Sequence, residues 1–226
     1  MRLSIIVPVL DEAAMLGEAL QALAPFRERG AELIVVDGGS RDGSLELAAP
    51  YADRVMPAKR GRGTQINAGA RIARGDALLF LHADTHLPGE ADHLVLRALG
   101  ENAWGRFDVT ITGTSPLLPI IAWLMNWRSR LTGIATGDQA IFVRREAFNQ
   151  ADGFPEIPLM EDIAFSRALK RIGRPACPAA RVRTSGRRWE REGVLRTVVR
   201  MWGLRLAFFF GADPAILARR YGYGER

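Results

Sequence analysis

The sequence is poor in cysteine and has no long hydrophobic run, and each absence excludes a class of protein. The single cysteine, Cys177, excludes an intramolecular disulfide framework and is typical of a reducing compartment. No stretch reaches the roughly 18 apolar residues of a membrane-spanning helix, since the longest apolar stretches are 117–125 and 204–210. Met1 and Arg2 lead directly into a strand-like pattern, so we expect no signal peptide and a cytoplasmic protein.

Positive charge is the first feature that is present in excess. The 226 residues include 31 Lys and Arg against 25 Asp and Glu, which gives a formal net charge of +6. An excess of basic residues suits binding to nucleic acid, to an anionic membrane surface or to a phosphate-bearing substrate. The sequence lacks helix-turn-helix, zinc-finger and aromatic RNA-binding signatures, so we do not expect nucleic acid as a partner.

Short apolar runs without helical periodicity alternate with helical patterns through the first 86 residues. Four of these runs are predicted strands: 3–7, 33–36, 54–56 and 78–81. A helical pattern follows each of the first three, which predicts the order β-α-β-α-β-α-β. The fold class is therefore α/β, with a doubly wound, mostly parallel sheet, and the length suits one large domain.

The pattern loosens after residue 86. We expect helices at 90–99 and 161–172, a strand at 104–112, a strongly apolar and aromatic stretch at 117–127 and a short strand at 140–143. A long helix at 193–210 carries both apolar residues and arginines, and it begins a C-terminal helical extension.

Acidic residues recur directly after the predicted strands: Asp11, Glu12, Asp37 and Asp84. His82 lies two residues before Asp84, on the same side of the chain. Because ligands of such sheets bind at the carboxyl ends of the strands, we expect a metal or a substrate there. Helix capping is the alternative, and it suits Asp11 well. It suits Asp37 poorly, because two glycines separate Asp37 from the next helix, and a carboxylate there is suited to a nucleobase or a ribose.

Four further polar clusters have both a functional and an ordinary interpretation. Residues 60–69 combine glycines and arginines at a predicted helix start, which suits an anion or a solvated loop. Glu161 and Asp162 suit a general base or a helix cap, and residues 137–139 have the same ambiguity. Residues 185–189 group two arginines with a tryptophan and suit phosphate oxygens or a basic surface loop.

Taken in order, these motifs resemble the family 2 glycosyltransferases, which have the GT-A fold. They are Ile-Ile-Val-Pro-Val-Leu-Asp-Glu at 5–12, Val-Val-Asp-Gly-Gly-Ser at 35–40, Gly-Arg-Gly-Thr-Gln-Ile-Asn-Ala-Gly at 61–69, Leu-His-Ala-Asp-Thr at 81–85, Gly-Phe at 153–154, Glu-Asp at 161–162 and Arg-Arg-Trp at 187–189. The resemblance implies a GT-A domain over 1–190, with a Rossmann-like nucleotide-binding half at 1–86 and an acceptor half at 87–190. The extension at 191–226 would pack on the same domain. The Leu-His-Ala-Asp-Thr form and the short chain resemble a bacterial subgroup found in arsenosugar or radical-SAM gene neighbourhoods.

The resemblance also implies roles for individual residues. Nucleotide-sugar binding would involve Pro8, Asp11, Glu12, Asp37, Gly39, Arg62, Asn67, His82, Asp138 and Gln139. The catalytic residues would be Asp162, Glu161, Arg188 and Trp189, with Asp162 as the base of an inverting enzyme. Asp84 and His82 would bind Mn²⁺ or Mg²⁺ on the diphosphate of a UDP- or GDP-sugar type of donor.

His82 departs from the family pattern, because it stands where the first acid of the Asp-x-Asp motif is expected. Imidazole is a poor Mg²⁺ ligand, so the departure predicts weaker metal binding, a preference for Mn²⁺, or contact of His82 with the sugar. It also favours one alternative function, a non-catalytic module that binds a nucleotide sugar or an anion. A nucleotidyltransferase is the other alternative, and residues 8–12 disfavour it because they lack a basic glycine loop.

The acceptor is expected to be a small molecule or a lipid-linked compound. The apolar stretch 117–127 and the helix at 194–210 suit either a wall of the acceptor site or a membrane contact. Segment 194–210 interleaves arginines with apolar residues, which suits a helix that rests on an anionic membrane surface. Packing of this segment against the sheet or against a second subunit is the favoured alternative, because apolar helices of this length are usually buried. A homodimer and a peripheral position at the inner face of the membrane both stay open.

Overall fold

The central sheet is built around β1, Leu3–Val9, in which six of the seven residues are buried and one is intermediate. The computed structural model describes residues 1–222. The other strands are β2 (Glu32–Asp37), β3 (Arg54–Pro57), β4 (Ala77–Phe80), β5 (Thr85–His86), β6 (Trp104–Gly105), β7 (Asp108–Thr112), β8 (Phe142–Arg144) and β9 (Arg181–Ser185). Six of them form one sheet in the order β3-β2-β1-β4-β8-β6, and β5-β9-β7 form a second sheet.

Helices connect the strands and extend the chain beyond them. They are α1 (Ala13–Gln21), α2 (Ala24–Glu28), α3 (Ser44–Ala48), α4 (Arg62–Ile72), α5 (Ala91–Glu101), α6 (Leu118–Thr132), α7 (Arg145–Gln150), α8 (Glu161–Ile172), α9 (Arg187–Glu192), α10 (Val194–Phe209) and α11 (Pro214–Tyr221). A 3₁₀ turn spans Gly137–Gln139.

The predicted parallel arrangement is confirmed for the first four strands. β1 pairs with β2 and with β4 in parallel, and β2 pairs with β3 in parallel. β8 then adds to β4 in the antiparallel direction. The carboxyl ends of β1, β2 and β4 therefore lie side by side at one edge of the sheet, as the positions of the strand-end acids predict.

Both faces of the sheet are covered, which explains the unbroken apolar runs. Successive residues of β2 alternate between two cores: Leu33 and Val35 pack with residues of α1, α2 and α5, whereas Ile34 and Val36 pack with residues of α4 and α8. A parallel sheet needs such cover on each face. This alternation makes the sheet doubly wound.

Helix α4 packs unusually close to the sheet, and two of its residues explain how. A Cβ at Gly69 would lie 2.6 Å from the side chain of Ile6, so only glycine fits this approach. The buried Gln65 donates hydrogen bonds from Nε2 to the carbonyls of Val9 and Val36, each at 2.8 Å. Gln65 thereby ties the ends of β1 and β2 together just below the loops that carry the acids.

The predicted strand at 104–112 is in fact two strands in different sheets. β6 pairs with β8 in the central sheet, and β7 pairs with β9 in the second. Between them, Arg106 N–H donates to the Ala176 carbonyl and Phe107 N–H donates to the Gln139 carbonyl. These contacts redirect the chain from one sheet to the other, a change that side-chain alternation does not reveal.

The C-terminal extension contacts the domain through only part of its apolar surface. Leu204 of α10 is buried with Met160 and with Leu217 of α11. Many other apolar side chains of α10 are exposed: Leu195, Val199, Trp202, Leu206, Phe209 and Phe210. Segment 194–210 thus packs against this domain only in part, and its contact with a second subunit or a membrane stays a prediction. Among residues 1–222, no helix has the length and apolar character to cross a membrane.

Candidate active site

One cleft of about 2150 Å³ opens at the carboxyl edge of the sheet. Its walls come from the ends of β1 and β4, the starts of α4 and α8, the 3₁₀ turn, α6, α9 and α10. It brings together eleven of the predicted site residues: Pro8, Asp11, Glu12, Arg62, His82, Asp84, Asp138, Glu161, Asp162, Arg188 and Trp189. Residues from six separate parts of the sequence thus share one space.

Four predicted nucleotide-binding residues are not among the residues that line the cleft: Asp37, Gly39, Asn67 and Gln139. The buried Asp37 carboxylate accepts hydrogen bonds from the N–H groups of Gly39 and Ser40, at 2.8 and 2.9 Å. Asn67 exchanges two hydrogen bonds with the backbone of Phe154, and Gln139 is buried beside Asn126. These side chains hold loops around the cleft, and their contact with a nucleotide stays a prediction.

The loop after β1 carries Asp11 and Glu12 into the cleft. Asp11 has a left-handed backbone, with φ of 54°, and its carboxylate accepts from the N–H of Arg41 at 2.8 Å. Helix α1 begins after Glu12, and the Asp42 carboxylate accepts from the N–H of Ala13 at 2.8 Å, so the capping role considered for Asp11 is not observed. Asp11 instead joins the loop after β1 to the loop after β2.

Glu12 and Asp84 place two carboxylates close together on the floor of the cleft. Burial raises the pKa of Glu12, and the negative charge of Asp84 raises it further, although the positive charge of Arg187 opposes the rise. Asp84 forms no ion pair within residues 1–222, and its one hydrogen bond comes from the Thr85 hydroxyl at 3.3 Å. Two adjacent acids that form no ion pair among the described residues are an arrangement that a cation would relieve.

These acids fit a divalent metal that takes most of its ligands from the substrate. Within residues 1–222, no three His, Cys, Asp or Glu side chains form a group able to hold a metal ion by themselves. Mg²⁺ is commonly bound by one or two protein carboxylates together with substrate phosphates and water. Asp84, with Glu12 beside it, meets that requirement once a diphosphate supplies the remaining oxygens.

His82 is held between two residues of the 3₁₀ turn. Its Nδ1 lies 3.4 Å from the Asp138 carboxylate, and a Cβ at position 137 would lie 2.3 Å from its Nε2. Gly137 therefore lets the imidazole pack directly on the backbone. Burial disfavours the charged form of Asp138, but the hydrogen bond to His82 and the positive charges of His82 and Arg62 outweigh it, so the pKa of Asp138 is lowered. In this position both ring nitrogens face the turn.

Met160 adopts a left-handed backbone, with φ of 69°, immediately before α8. Such a conformation costs about 1–3 kcal/mol outside glycine and often occurs at functional sites. It places Glu161 and Asp162 at the cleft. Glu161 is buried and pairs with Arg62 at 3.0 Å, and burial, together with the charge of Asp162, raises the pKa of Glu161 despite this partner.

The Asp162 carboxylate is fixed by two backbone groups. Its Oδ2 accepts from the N–H of Gly137 at 2.9 Å, and its Oδ1 accepts from the N–H of Ile163 at 2.7 Å. Asp162 is thus joined to the same turn that holds His82. A carboxylate with a fixed orientation at the wall of a cleft can accept a proton from a bound hydroxyl.

The basic motif lines the cleft at the start of α9. Arg188 pairs with Glu192 at 3.2 Å and lies over the ring of Tyr221, 4.0 Å from its centroid. Trp189 packs partly against the core. Arg187, to which the resemblance assigned no role, is the arginine whose charge acts on Glu12. The motif alone does not show that Arg187 and Arg188 lie in one short helix, or which of them acts on Glu12.

Further cationic side chains line the cleft, and two of them lie in helices that contain none of the sequence motifs. They are Arg128 of α6 and Arg205 of α10. Each lies in a helix whose apolar residues dominate its pattern. For Arg205 the sequence signal is the interleaving of arginines with apolar residues in 194–210, which also suits a membrane-surface helix, and no sequence pattern marks Arg128.

The comparison with protein families identifies one match, Glycosyl transferase family 2, over residues 4–150, more than half of the chain. An undecaprenyl-phosphate 4-deoxy-4-formamido-L-arabinose transferase of Pseudomonas paraeruginosa is 32% identical over 143 residues, which are 58% of this chain and 40% of that protein. The chain thus spans less than half the length of this curated relative.

Solved structures share the fold at low sequence identity. A mannosyltransferase of Pyrobaculum calidifontis, in complex with GDP-Man and Mn²⁺, has a TM-score of 0.63 at 21% identity, over 80% of this chain and 56% of that one. S. aureus TarS 1–349, in complex with UDP-GlcNAc, has a TM-score of 0.63 at 19% identity, over 82% and 58% of the two chains. The predicted GT-A fold is confirmed, and the chain belongs to glycosyl transferase family 2.

Proposed function

We propose that the protein is an inverting glycosyltransferase that moves a sugar from a nucleoside-diphosphate donor to an acceptor hydroxyl. The observation that carries this proposal is the geometry of the cleft. A pair of adjacent acids, Glu12 and Asp84, shares it with a fixed carboxylate, Asp162, and with arginines of α4 and α9. Membership of the family and the activities that its relatives are named for support the same reaction class.

The acidic floor of the cleft is where we propose that the donor diphosphate binds. Asp84 would hold a divalent ion, Mn²⁺ or Mg²⁺, with Glu12 beside it; two structures with the same fold are complexes with Mn²⁺ and Mg²⁺. The ion, when bound, supplies positive charge to the leaving diphosphate. Arg187 and Arg188 extend that positive charge along the start of α9, where a diphosphate oxygen can meet a planar guanidinium.

Asp162 is the proposed general base. It would accept the proton of the acceptor hydroxyl while the hydroxyl oxygen bonds to the anomeric carbon and the bond from that carbon to the diphosphate breaks. One displacement inverts the anomeric configuration. Glu161 and Arg62 would act as positioning residues, since their ion pair fixes the start of α8 against α4.

The turn at residues 137–139 would position the sugar. Asp138 is half exposed to the cleft and is held by His82, so its carboxylate can accept hydrogen bonds from sugar hydroxyls. This arrangement favours a positioning role of His82 over the metal-ligand role implied by the resemblance.

Two observations outside the donor site bear on the acceptor and on where the protein acts. The undecaprenyl-phosphate relative supports a lipid-linked acceptor, and the exposed apolar side chains of α10 support a surface that rests on a membrane or on a second copy of the chain. We propose a cytoplasmic position, which is compatible with a membrane contact and with a second copy of the chain. Membership of the arsenosugar or radical-SAM subgroup stays a prediction.

The proposal is tested by a thermal-shift screen of UDP, GDP, CDP, ADP and dTDP, each with Mn²⁺, with Mg²⁺ or with EDTA. A ligand that binds only the native state raises the melting temperature, by an amount set by its concentration and Kd. We expect one nucleotide to give a metal-dependent shift that is lost in Asp84→Ala and kept in Glu101→Ala, a change of an exposed acid in α5. A folded protein that responds to none of the five nucleotides contradicts the proposal.

A further inference from the structure

Two half-buried arginines that line the cleft are not paired with a carboxylate among the described residues. Arg128 lies in α6, and Arg205 lies in α10. Within residues 1–222, neither forms an ion pair. Arg205 makes no hydrogen bond there, and Arg128 makes only a long one, 3.5 Å, to the Ile134 carbonyl.

The Nε atoms of both arginines are buried and lack a hydrogen-bond partner among the described residues. Buried polar groups in native proteins are nearly always satisfied, and an unsatisfied charged group is especially unfavourable. Both side chains line the same cleft, so an anion bound there can supply the partner that the described residues do not. The ligand must offer at least two acceptor oxygens, because the two guanidinium groups lie on different helices.

The electrostatics of the pair point to an anion. Burial lowers the pKa of Arg128 to about 10, and the positive charge of Arg205 contributes to the decrease, while the charge of Asp162 opposes it. Arg205 also acts on Asp138, whose pKa it helps to lower. The two like charges repel each other at the end of the cleft near Asp138 and Asp162. A bound oxyanion would neutralise this repulsion.

We propose that Arg128 and Arg205 form an oxyanion subsite that holds a phosphate or carboxylate group of the acceptor. This inference rests on the proposed function, because it takes Asp162 as the base and the space beside it as the acceptor site. An acceptor anchored through its oxyanion would present its hydroxyl to Asp162 in a fixed geometry. Held geometry of this kind supplies much of the rate in two-substrate reactions.

The subsite is separate from the place proposed for the donor diphosphate. That place is formed by Glu12, Asp84 and Arg187, which act on one another electrostatically, whereas Arg128 is coupled to Asp162. The walls also differ: exposed aromatic side chains, Trp127 of α6 and Trp202 of α10, line the cleft on the helices that carry the two arginines. The acceptor side thus combines an anion site with apolar surface.

The test uses sulfate and inorganic phosphate as probes, titrated calorimetrically into the protein with its donor site filled by the nucleotide that the screen selects. We expect Arg128→Met and Arg205→Met each to weaken probe binding roughly 10- to 100-fold, since hydrogen bonds to charged groups are the strong ones. The control is Arg196→Met, an exposed arginine of α10 that does not line the cleft, and it should leave binding unchanged.

A second readout needs no ligand. Because each arginine is repelled by the other, the ligand-free Arg205→Met protein should melt roughly 2 °C or more above the wild type. A merely structural arginine would have the opposite effect on the melting temperature. Unchanged probe binding in both variants, or a wild type that binds neither probe, overturns the subsite. If no nucleotide binds but the probes bind and depend on these arginines, the donor assignment fails and the subsite stands.

The source of the oxyanion is distinguished by vesicle binding. Vesicles of phosphatidic acid, with phosphatidylcholine vesicles as control, should bind the wild type and lose binding in Arg205→Met if the acceptor oxyanion is a lipid headgroup. Probe binding that depends on the arginines, without vesicle binding, identifies a soluble acceptor. Both results support the subsite.

Discussion

The two sides of the cleft differ in how their charges are satisfied. On the donor side and the turn beside it, charged groups come from strand ends and loops, and several are paired within the chain: Arg62 with Glu161 and His82 with Asp138. On the acceptor side, Arg128 and Arg205 come from helices and lack such partners within residues 1–222. The donor side is therefore preorganised by the protein except at Glu12 and Asp84, where we propose a metal ion, whereas the arginines of the acceptor side are completed by what they bind.

The largest expected effect comes from removing the base that stands between the two sides. Asp162→Asn should lower the rate of donor hydrolysis by about 10²- to 10⁴-fold, because general base catalysis contributes that much. The Kd of the nucleotide should stay unchanged, since Asp162 contacts the turn and not the proposed diphosphate site. Steady-state rates and calorimetric Kd values check this, with Glu146→Gln, an exposed acid of α7, as the control. A parallel loss of nucleotide binding would contradict the assignment.

The next effect tests the preorganised side. Arg62→Met leaves the buried Glu161 without its partner, and we expect the free energy of unfolding to fall by about 2 kcal/mol. This is less than the usual cost of breaking a buried pair, because the Arg62 side chain is 36% exposed. Urea denaturation measures the change. The double variant with Glu161→Gln should recover part of the loss, and purely additive effects would show that the pair is not coupled.

A smaller effect tests the contact between His82 and the turn. Gly137→Ala places a methyl group 2.3 Å from Nε2 of His82, so the ring must move. Overpacking of this kind costs about 1–3 kcal/mol. We expect lower stability and weaker donor binding, measured by denaturation and calorimetry. Gly203→Ala is the matched control, because nothing lies within 4 Å of a Cβ there. Equal behaviour of the two variants would show that His82 moves freely.

The smallest effect concerns the acidic floor and depends on pH. Burial and the charge of Asp84 raise the pKa of Glu12, so the folded state binds this proton more tightly than the unfolded state. Stability from Glu12 is present below the ordinary glutamate pKa and is lost as the pH rises through the raised value. In EDTA, Glu12→Gln should therefore be slightly more stable than the wild type at pH 7, by about 0.5 kcal/mol after solvent screening, and no more stable at pH 4.

Denaturation at the two pH values, with and without Mg²⁺, checks this pH dependence. Mg²⁺ should stabilise the wild type more than Glu12→Gln and so narrow the difference at pH 7. A wild type that is the more stable protein at pH 7 in EDTA would show that the two acids do not repel each other.

The fold and the donor side could be predicted from the sequence because both depend on short stretches of residues, the strands and the few residues that directly follow them. Apolar runs of fixed length predict buried strands, and parallel connection brings the residues after β1 and β4 to one edge. The limit of this reasoning is Asp37, which has the same strand-end pattern as Asp84. Its carboxylate bonds to its own loop and does not line the cleft, because the glycines after it allow the loop to fold back on it.

The sequence suggests the two helices of the acceptor side, but the arginines in them that reach the cleft could not be predicted, because this depends on how the helices pack. Arg128 and Arg205 are 77 residues apart by their numbers and resemble the other arginines of their helices. Which face of α6 or α10 meets the cleft is decided by tertiary contacts such as the burial of Leu204 beside Met160. The break between β6 and β7 has the same origin, since backbone contacts from residues distant in sequence redirect the chain.

The central claim, a donor side and an acceptor side within one cleft, is tested most directly by a crystal structure with the selected nucleoside diphosphate and Mn²⁺. The account predicts an anomalous peak for Mn²⁺ about 2.1 Å from a carboxylate oxygen of Asp84, as for other small divalent ions. The diphosphate should bridge that ion and the start of α9, and the space between Arg128 and Arg205 should hold no nucleotide. A diphosphate bound between Arg128 and Arg205, with no metal at Asp84, would contradict the division of the cleft.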